Sequence, residues 1–301
     1  MIEHVLRLYP AAYRRAHGAE IAATFHELTA GEPLGVRLRD GADLAGQALR
    51  MRVGLGPAAA LPKVLGPAQP LVLAASAAAG GLYLLRWYAA VVASPVPLGL
   101  RLRTDLSGTW GVLLVSALLV FAGSAAALAG RWRAGVPCTV LGLLAFAAAA
   151  VVSGPAFGSP VAVPAAAVLA AAVLLGCPPD RRREGMAAGR AGAAGAVVAL
   201  VLVPRAAVDA HVLPGVSTDY GCWPLLVLGA AGVASAWRHG SRSGANGGRE
   251  LAATALAAPP LLAEACTTAW GDATALTCLA AVLTATVTGV LLAARLGRTL
   301  R

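Results

Sequence analysis

Long apolar segments separated by short polar gaps occupy the chain from about Pro70 to Ala294. Each segment approaches a length of about 20 residues, which an α-helix needs in order to cross a bilayer core about 30 Å thick. The pattern predicts eight membrane-spanning helices, over residues 70–93, 108–130, 135–153, 159–177, 188–208, 221–237, 251–270 and 272–294. The weakest predictions are the fifth span, which Pro204 and Arg205 interrupt, and the sixth, which is short.

The first 68 residues follow a different pattern and contain no apolar run long enough to cross a membrane. Their start lacks a basic segment followed by an apolar one, so we expect no signal peptide. Pro10 suits the first turn of a helix, and apolar residues follow it at helical spacing: Tyr13, Ile21, Phe25 and Leu28. The segment Gly31 to Gly35 ends this helix. The Gly- and Pro-rich stretch from Gly54 to Pro70 predicts a linker into the membrane.

A second helix is expected between the break at Gly35 and this linker, because apolar residues recur on one stripe. The stripe consists of Leu38, Ala42, Ala45, Leu49 and Val53. Polar residues lie off it, namely Arg37, Asp40, Arg50 and Arg52. We therefore divide the chain into a helical module with its linker, residues 1–68, and a transmembrane domain, residues 69–301.

Composition supports a lipid environment for most of the chain. Hydrophobic residues make up 58% of the sequence, charged residues only 13%, and the mean hydropathy is +0.73. A soluble domain carries about a quarter charged residues. The predicted fold class is therefore all-α, a polytopic helix bundle in the membrane, and small residues such as Gly192, Gly195 and Gly232 would let its helices pack closely.

Basic residues gather in alternate gaps between the apolar segments. With the N-terminus inside, 20 of the 24 fall on the inner side, and the remaining four on the outer side are Arg86, Arg101, Arg103 and Arg205. Positive charge is retained on the cytoplasmic side of a membrane, which predicts an even number of spans with both termini cytoplasmic. The net charge of +10 does not indicate nucleic-acid binding, because the bases form no compact patch with aromatic residues beside it.

An intramembrane charge cluster is the sharpest candidate site. Glu264 lies about thirteen residues into the seventh span, in the outer third of the bilayer, where an ionisable side chain needs a partner. Arg86 and Arg205 interrupt the first and fifth spans at a similar depth, and Asp209 follows Arg205 closely. The preferred interpretation is a structural ion pair; a substrate or proton pathway and simple snorkelling to the headgroups are the alternatives. Pro259-Pro260 predicts a kink in the same span.

Signatures of catalysis are missing. His26-Glu27 begins an HExxH motif but position 30 is Ala, and no GxxxxGK[ST] or GxSxG pattern occurs. Two longer outer loops are expected, roughly Ser94 to Ser107 and Asp209 to Tyr220, and the second concentrates polar groups, namely Asp209, His211, Asp219 and Tyr220. Their spacing matches no known cation site, so a solvated loop is preferred. We expect no catalytic residue, no cofactor and no metal, and any ATP-driven role would need a separate ATPase subunit.

The N-terminal sequence carries a family resemblance. LRLYPAAYRRAHGAEI, from Leu6 to Ile21, resembles a module of actinobacterial membrane proteins with the approximate pattern LRLYPxxYRxxxGxEI, and Ala45 to Gly56 resembles the amphipathic helix that follows it there. Similar prefixes precede some ABC-transporter permeases and small proteins linked to PadR-type regulators. The membrane region is similar to uncharacterised integral membrane proteins of streptomycetes, for which no reaction is implied.

Such a module suits a helical hairpin on the inner membrane surface, with aromatic residues towards lipid or a partner and arginines towards phosphates. The candidate residues are Tyr9, Tyr13, Arg14, Arg15 and Glu20. Three functions compete: a non-catalytic sensor or accessory component whose hairpin binds a cytoplasmic partner, a transporter or ABC-type permease subunit with a polar site near Arg86 and Glu264, and an intramembrane enzyme. The first is preferred and the third is the least favoured.

Overall fold

The computed structural model describes residues 2–52, 61–153, 161–177, 188–210, 223–240 and 244–269. These residues form twelve α-helices and contain no β-strand, which confirms the all-α class for the described part of the chain. The chain divides into two compact units, Met1–Lys63 and Val64–Arg301.

The first unit contains the two predicted helices and a short third one. Its elements are α1 (Ile2–Leu6), α2 (Ala11–Thr29) and α3 (Leu34–Arg52). Pro10 directly precedes α2 with φ of −54°, the angle that its ring fixes and that a helix start needs. Gly31 adopts φ of +80° just after α2, a conformation that other residues rarely adopt, and so the chain turns there.

The apolar stripe predicted on α3 exists but does not face the interior of the unit. Leu38 and Leu49 are each 52% exposed, whereas Gly41 and Ala48 are buried. Helix α3 packs against α1, and its buried positions include these two small residues. The larger apolar side chains therefore remain on the surface of this unit.

The second unit contains nine described helices. They are α4 (Leu61–Val92), α5 (Leu98–Asp105), α6 (Gly108–Leu128), α7 (Trp132–Ser153), α8 (Ala162–Gly176), α9 (Ala188–Asp209), α10 (Trp223–Gly240), α11 (Gly244–Ala257) and α12 (Pro259–Ala269). Four of them, α4, α6, α7 and α9, are long and apolar enough to cross a membrane, while α8 is apolar but has only 15 residues. Four such helices are consistent with a membrane protein.

Two regions predicted to be irregular are helical. The linker was expected to extend to Pro70, but α4 begins at Leu61 and contains Pro67 and Pro70. Proline is tolerated in packed membrane helices because neighbouring groups satisfy the backbone that it frees. The predicted outer loop from Ser94 to Ser107 contains α5, which begins directly after Pro97.

The predicted seventh span is interrupted. Its residues form α11 and α12, which meet at Ala258, and Pro259 and Pro260 are the first two residues of α12. Proline lacks the N–H that a helix interior requires but fits the first turn, where that N–H has no helical acceptor. The expected kink is therefore a helix boundary. The predicted eighth span, residues 272–294, lies outside the described residues.

Helix α4 occupies the centre of the second unit. Within its apolar window 78% of the residues are buried, compared with 17% for α9. Beside it, α6 and α7 form an antiparallel pair with nearly touching backbones: a Cβ at Gly142 would lie 2.9 Å from the Ser116 carbonyl oxygen, and one at Gly123 would lie 2.7 Å from the Thr139 nitrogen. Ser124 and Thr139 hydroxyls approach to 3.3 Å across this contact.

Candidate intramembrane ligand site

A cavity of about 580 Å³ opens within the second unit. Helices α4, α5, α6, α7, α8 and α12 contribute its walls. Small-molecule sites typically occupy about 300–1,000 Å³, and they combine mostly apolar walls with a few convergent polar groups. This cavity has both features, and its charged groups lie at one end.

The Arg86–Glu264 ion pair lies at that end of the cavity. Arg86 belongs to the last two turns of α4, and its guanidinium Nη1 contacts Oε1 of Glu264 on α12. The side chains are 31% and 17% exposed, respectively. Pro259 fixes the start of α12, and Glu264 follows in its second turn, so the helix boundary sets where this carboxylate enters the bundle.

A second ion pair from α5 completes the charged end. Arg101 Nε donates to Asp105 Oδ2 at 3.1 Å, one helical turn away, and Trp87 Nε1 on α4 donates to the same oxygen at 2.9 Å. Arg101 Nη1 also donates to Ser94 Oγ at 3.2 Å. Sequence reasoning missed this pair because it assigned the segment to a loop. The four-residue spacing of Arg101 and Asp105 was the available signal.

The other end of the cavity is apolar. Its walls come from α6, α7 and α8, and the side chains include Leu114, Val120, Leu143, Phe146 and Val163. Phe146 meets the ring of Tyr83 edge-on, with centroids 5.6 Å apart. Ser76 lines this end of the cavity on α4, and its hydroxyl is buried without a hydrogen-bond partner in the structure. A buried hydroxyl is costly in this state, so a polar atom of a bound molecule would satisfy it.

Arg205 and Asp209, the other predicted members of the cluster, form their own ion pair on α9. Arg205 Nη2 lies 2.9 Å from Asp209 Oδ1, and Arg205 Nε donates to Oδ2 at 3.0 Å. Neither residue belongs to the described cavity lining. Arg205 is close enough to interact electrostatically with Glu264. The four residues thus form two pairs, of which one reaches the cavity.

Sequence reasoning also missed the ion pair between Arg190 and Glu250. Arg190 at the start of α9 contacts Glu250 on α11, with 2.7 Å between Nη2 and Oε1. Ser235 on α10 donates to the other carboxylate oxygen at 3.5 Å, and Glu250 is only 5% exposed. Sequence alone showed Arg190 as one of many inner arginines. No spacing rule links residues 60 positions apart, so only the packing of α9, α10 and α11 shows the pair.

The candidate residues of the N-terminal module divide into interior and surface positions. Tyr9 is buried: it stacks on Tyr13 with ring centroids 5.6 Å apart and donates to the Leu44 carbonyl at 3.3 Å. Burial raises the pKa of Tyr9, and the nearby Tyr13 raises it further to a smaller extent. The Tyr9 hydroxyl therefore stays protonated and can donate a hydrogen bond. The expectation that this ring faces lipid or a partner is therefore wrong.

The polar candidates of the module lie on its surface. Arg14, Arg15 and Glu20 are exposed. Oε2 of Glu20 lies 3.6 Å from Nδ1 of His17. Among outer-loop candidates, His211, Asp219 and Tyr220 lie outside the described residues. Within the described part of the chain, no group of three or more His, Cys, Asp and Glu side chains could hold a metal ion.

Comparison with known protein families, with curated proteins and with solved structures finds no match for this chain. The geometry of the cavity therefore has to support the functional conclusion. Its polar groups are two guanidiniums, two carboxylates, aromatic rings and hydroxyls. Such an arrangement is chemically suited to a molecule that has both a charged part and an apolar part.

Proposed function

We propose that this protein is a non-catalytic component of the plasma membrane that binds an amphipathic molecule inside its helix bundle and acts as a sensor or accessory subunit. The cavity at the Arg86–Glu264 pair carries this proposal. It combines a mostly apolar end with a charged end, and an intramembrane charge pair marks a functional site by default. The N-terminal helices provide the surface through which binding reaches a cytoplasmic protein partner.

The proposed topology has eight spans with both termini in the cytoplasm. Four described helices with spanning length and apolarity support a membrane location. The arginine distribution supports the orientation, since 20 of the 24 basic residues fall on one side. In this topology the charged end of the cavity lies near the outer surface, because Arg86 lies near the end of an inward-to-outward helix.

An exposed apolar surface on the first unit supports a role in docking. Its members are Leu34, Leu38 and Leu49, which are large and exposed and share one face of α3 at the helical spacing of about 100° per residue. Large apolar side chains gathered on a surface indicate an interaction site more often than a solvated face. The resemblance of Leu6 to Ile21 to permease prefixes and to proteins linked to PadR-type regulators agrees with a cytoplasmic partner.

Transport is the second candidate, and the same cavity favours it. A transporter or ABC-type permease subunit needs a polar site within the membrane, and the Arg86 and Glu264 side chains form one. Transport requires that the site opens to each side in turn, whereas a sensor requires an opening to one side. The separate ATPase subunit that an ABC-type role requires would be a further partner.

Cysteine accessibility distinguishes these functions. Both test variants are made in a background in which the five natural cysteines are replaced by alanine. Ala166→Cys places a thiol in the cavity wall. Ala170→Cys places a thiol on the same helix at a position that is buried but outside the lining. We expect N-ethylmaleimide to label the first and not the second. A charged thiosulfonate reagent should then label Ala166→Cys from one face of sealed vesicles only. Labelling from both faces would support transport, and equal inertness of the two thiols would exclude an accessible cavity.

A reporter fusion tests the topology independently. Green fluorescent protein fused after Arg301 should fluoresce, because it folds in the cytoplasm, while alkaline phosphatase at the same position should be inactive. Fusions after Ser94, in the predicted outer loop, should give the opposite result. Active phosphatase at the C-terminal fusion would overturn the even number of spans.

A further inference from the structure

We propose that the molecule held in the cavity is a zwitterionic amphiphile whose head group binds at the two ion pairs, Arg86–Glu264 and Arg101–Asp105. This inference rests on the proposed function, since it specifies the ligand of the same cavity. The shape of the cavity, the charge balance at one end and the aromatic residues around that end support it independently.

The cavity is elongated and charged at one end only. Along α4 its lining runs from Ser76 to Ala90, fourteen residues that correspond to about 21 Å at the helical rise. The charged residues all lie towards the Ala90 end, and the walls opposite Ser76 are aliphatic and aromatic. A long molecule with a compact polar head and an apolar body matches this profile.

The charged end carries no net formal charge, because its two arginines are balanced by its two carboxylates. A head group with one charge would leave an unbalanced charge in a medium of low dielectric constant, which is costly. A zwitterion avoids this cost, since its anionic group can bind Arg86 while its cationic group binds Glu264. Both charges of the existing pair then keep a partner.

Further hydrogen bonds hold the second pair, Arg101 and Asp105, in position. Asp105 already accepts from Arg101 and from Trp87, and Arg101 donates to Ser94 as well. The Arg86–Glu264 pair bridges two helices, and its carboxylate has the cavity beside it. The geometry therefore assigns the exchange of partners to Arg86 and Glu264, and it assigns to Arg101, which lines the same end of the cavity, a second contact with the anionic group.

Aromatic rings surround the position where a cationic group would bind. Tyr83, Trp87 and Trp110 line the charged half of the cavity. An alkylammonium group is attracted to the faces of such rings, and indole is the strongest of them. A zwitterionic head with a quaternary ammonium, such as phosphocholine, therefore suits both the carboxylate and the rings.

Native mass spectrometry of the full-length protein in mild detergent can test the head-group preference. Three probes with sixteen-carbon chains differ in the charge of the head group: palmitoyl lysophosphatidylcholine is zwitterionic, palmitoyl lysophosphatidylglycerol carries one negative charge, and hexadecyltrimethylammonium carries one positive charge. Free phosphocholine, without a chain, distinguishes a lipid source from a free head group. We expect lysophosphatidylcholine to bind at least about tenfold more tightly than either singly charged probe. This ratio in affinity corresponds to the loss of one charge-assisted hydrogen bond. Free phosphocholine should bind more weakly still.

Variants link this preference to the named residues. Glu264→Gln and Arg101→Gln should each weaken lysophosphatidylcholine binding by about tenfold. Arg103→Gln is the matched control, because Arg103 lies on the same helix as Arg101, is exposed and lies outside the cavity lining. Three results would overturn the proposed preference for a zwitterion. They are tighter binding of either singly charged probe, equal binding of all three probes, and equal effects of Arg101→Gln and Arg103→Gln. Binding of none of the chain-bearing probes would instead overturn the proposed function itself.

Discussion

Two interhelical ion pairs among the described residues of the second unit have the same chemistry and different surroundings. Arg86–Glu264 joins α4 to α12 beside a cavity, whereas Arg190–Glu250 joins α9 to α11 and does not line that cavity. The two arginine side chains are similarly exposed, 31% and 28%, but the Glu264 side chain is 17% exposed and that of Glu250 only 6%. A pair beside a cavity can exchange partners with a bound molecule, whereas a pair whose carboxylate is buried between helices holds those helices together. The surroundings, and not the residue types, therefore separate binding from architecture.

The largest expected effect is on the Arg190–Glu250 pair. Glu250→Gln leaves the Arg190 guanidinium without its charged partner. Removal of one member of a fully buried pair costs about 3–5 kcal/mol, and because Arg190 is 28% exposed we expect the lower end of this range, about 3 kcal/mol. We expect a large loss of folded protein, measured as the thermal unfolding of detergent-solubilised protein by size-exclusion chromatography. The double variant Arg190→Met/Glu250→Leu should recover most of the stability, because apolar side chains of similar volume can replace such a pair. An unchanged unfolding temperature for Glu250→Gln would contradict a structural role.

The next effect concerns the helix packing behind the cavity. Gly142→Ala would push α7 away from α6, because the added Cβ meets backbone atoms of Ser116 and Val120. Overpacking of this kind costs about 1–3 kcal/mol, and we expect a lower unfolding temperature in the same assay. Gly192→Ala on α9 is the matched control, since no atom lies within 4 Å of its new Cβ. Alanine is the better helix former, so a loss in the control equal to that of Gly142→Ala would rule out close packing as the cause.

Glu264→Gln should lower stability less than Glu250→Gln does. Arg86 is about as exposed as Arg190, but it lines the cavity, where water can solvate its charge when its partner is lost, and we expect a cost of about 1 kcal/mol. The comparison is made by unfolding both variants in the same detergent, with lysophosphatidylcholine binding measured in parallel. A destabilisation as large as that of Glu250→Gln would make the cavity pair a structural element like the other one.

Ser76→Ala should have the smallest effect on the empty protein. The hydroxyl that it removes is buried without a partner, so its loss should leave the unfolding free energy unchanged or raise it by up to about 1 kcal/mol. The matched variant Ser116→Ala removes a hydroxyl that donates to the Val112 carbonyl at 2.6 Å and should lower stability by about 1 kcal/mol. If Ser76→Ala destabilised the protein as much, the Ser76 hydroxyl would have a partner that the bundle itself supplies.

Hydrophobic patterning predicted helix type well and helix boundaries less well. It located α2, α6 and α7 to within a few residues, because apolar length and proline positions are local signals. It extended a linker over the first turns of α4 and merged α11 with α12. Proline fits the first turn of a helix but disrupts hydrogen bonding in its interior. Sequence alone does not tell which of these positions Pro67 or Pro259 occupies.

The amino-acid sequence by itself determined that the chain is helical and apolar enough for lipid, and it singled out Glu264 and Arg86 as charges that need partners in that environment. Only the tertiary structure decided that these two side chains meet beside a cavity, that Arg190 and Glu250 meet inside packed protein, and that Leu38 and Leu49 face outward. The physical reason is that composition and periodicity act over one helix turn or one span. A cavity and its ion pairs depend on which helix faces approach each other, and distant residues settle that jointly.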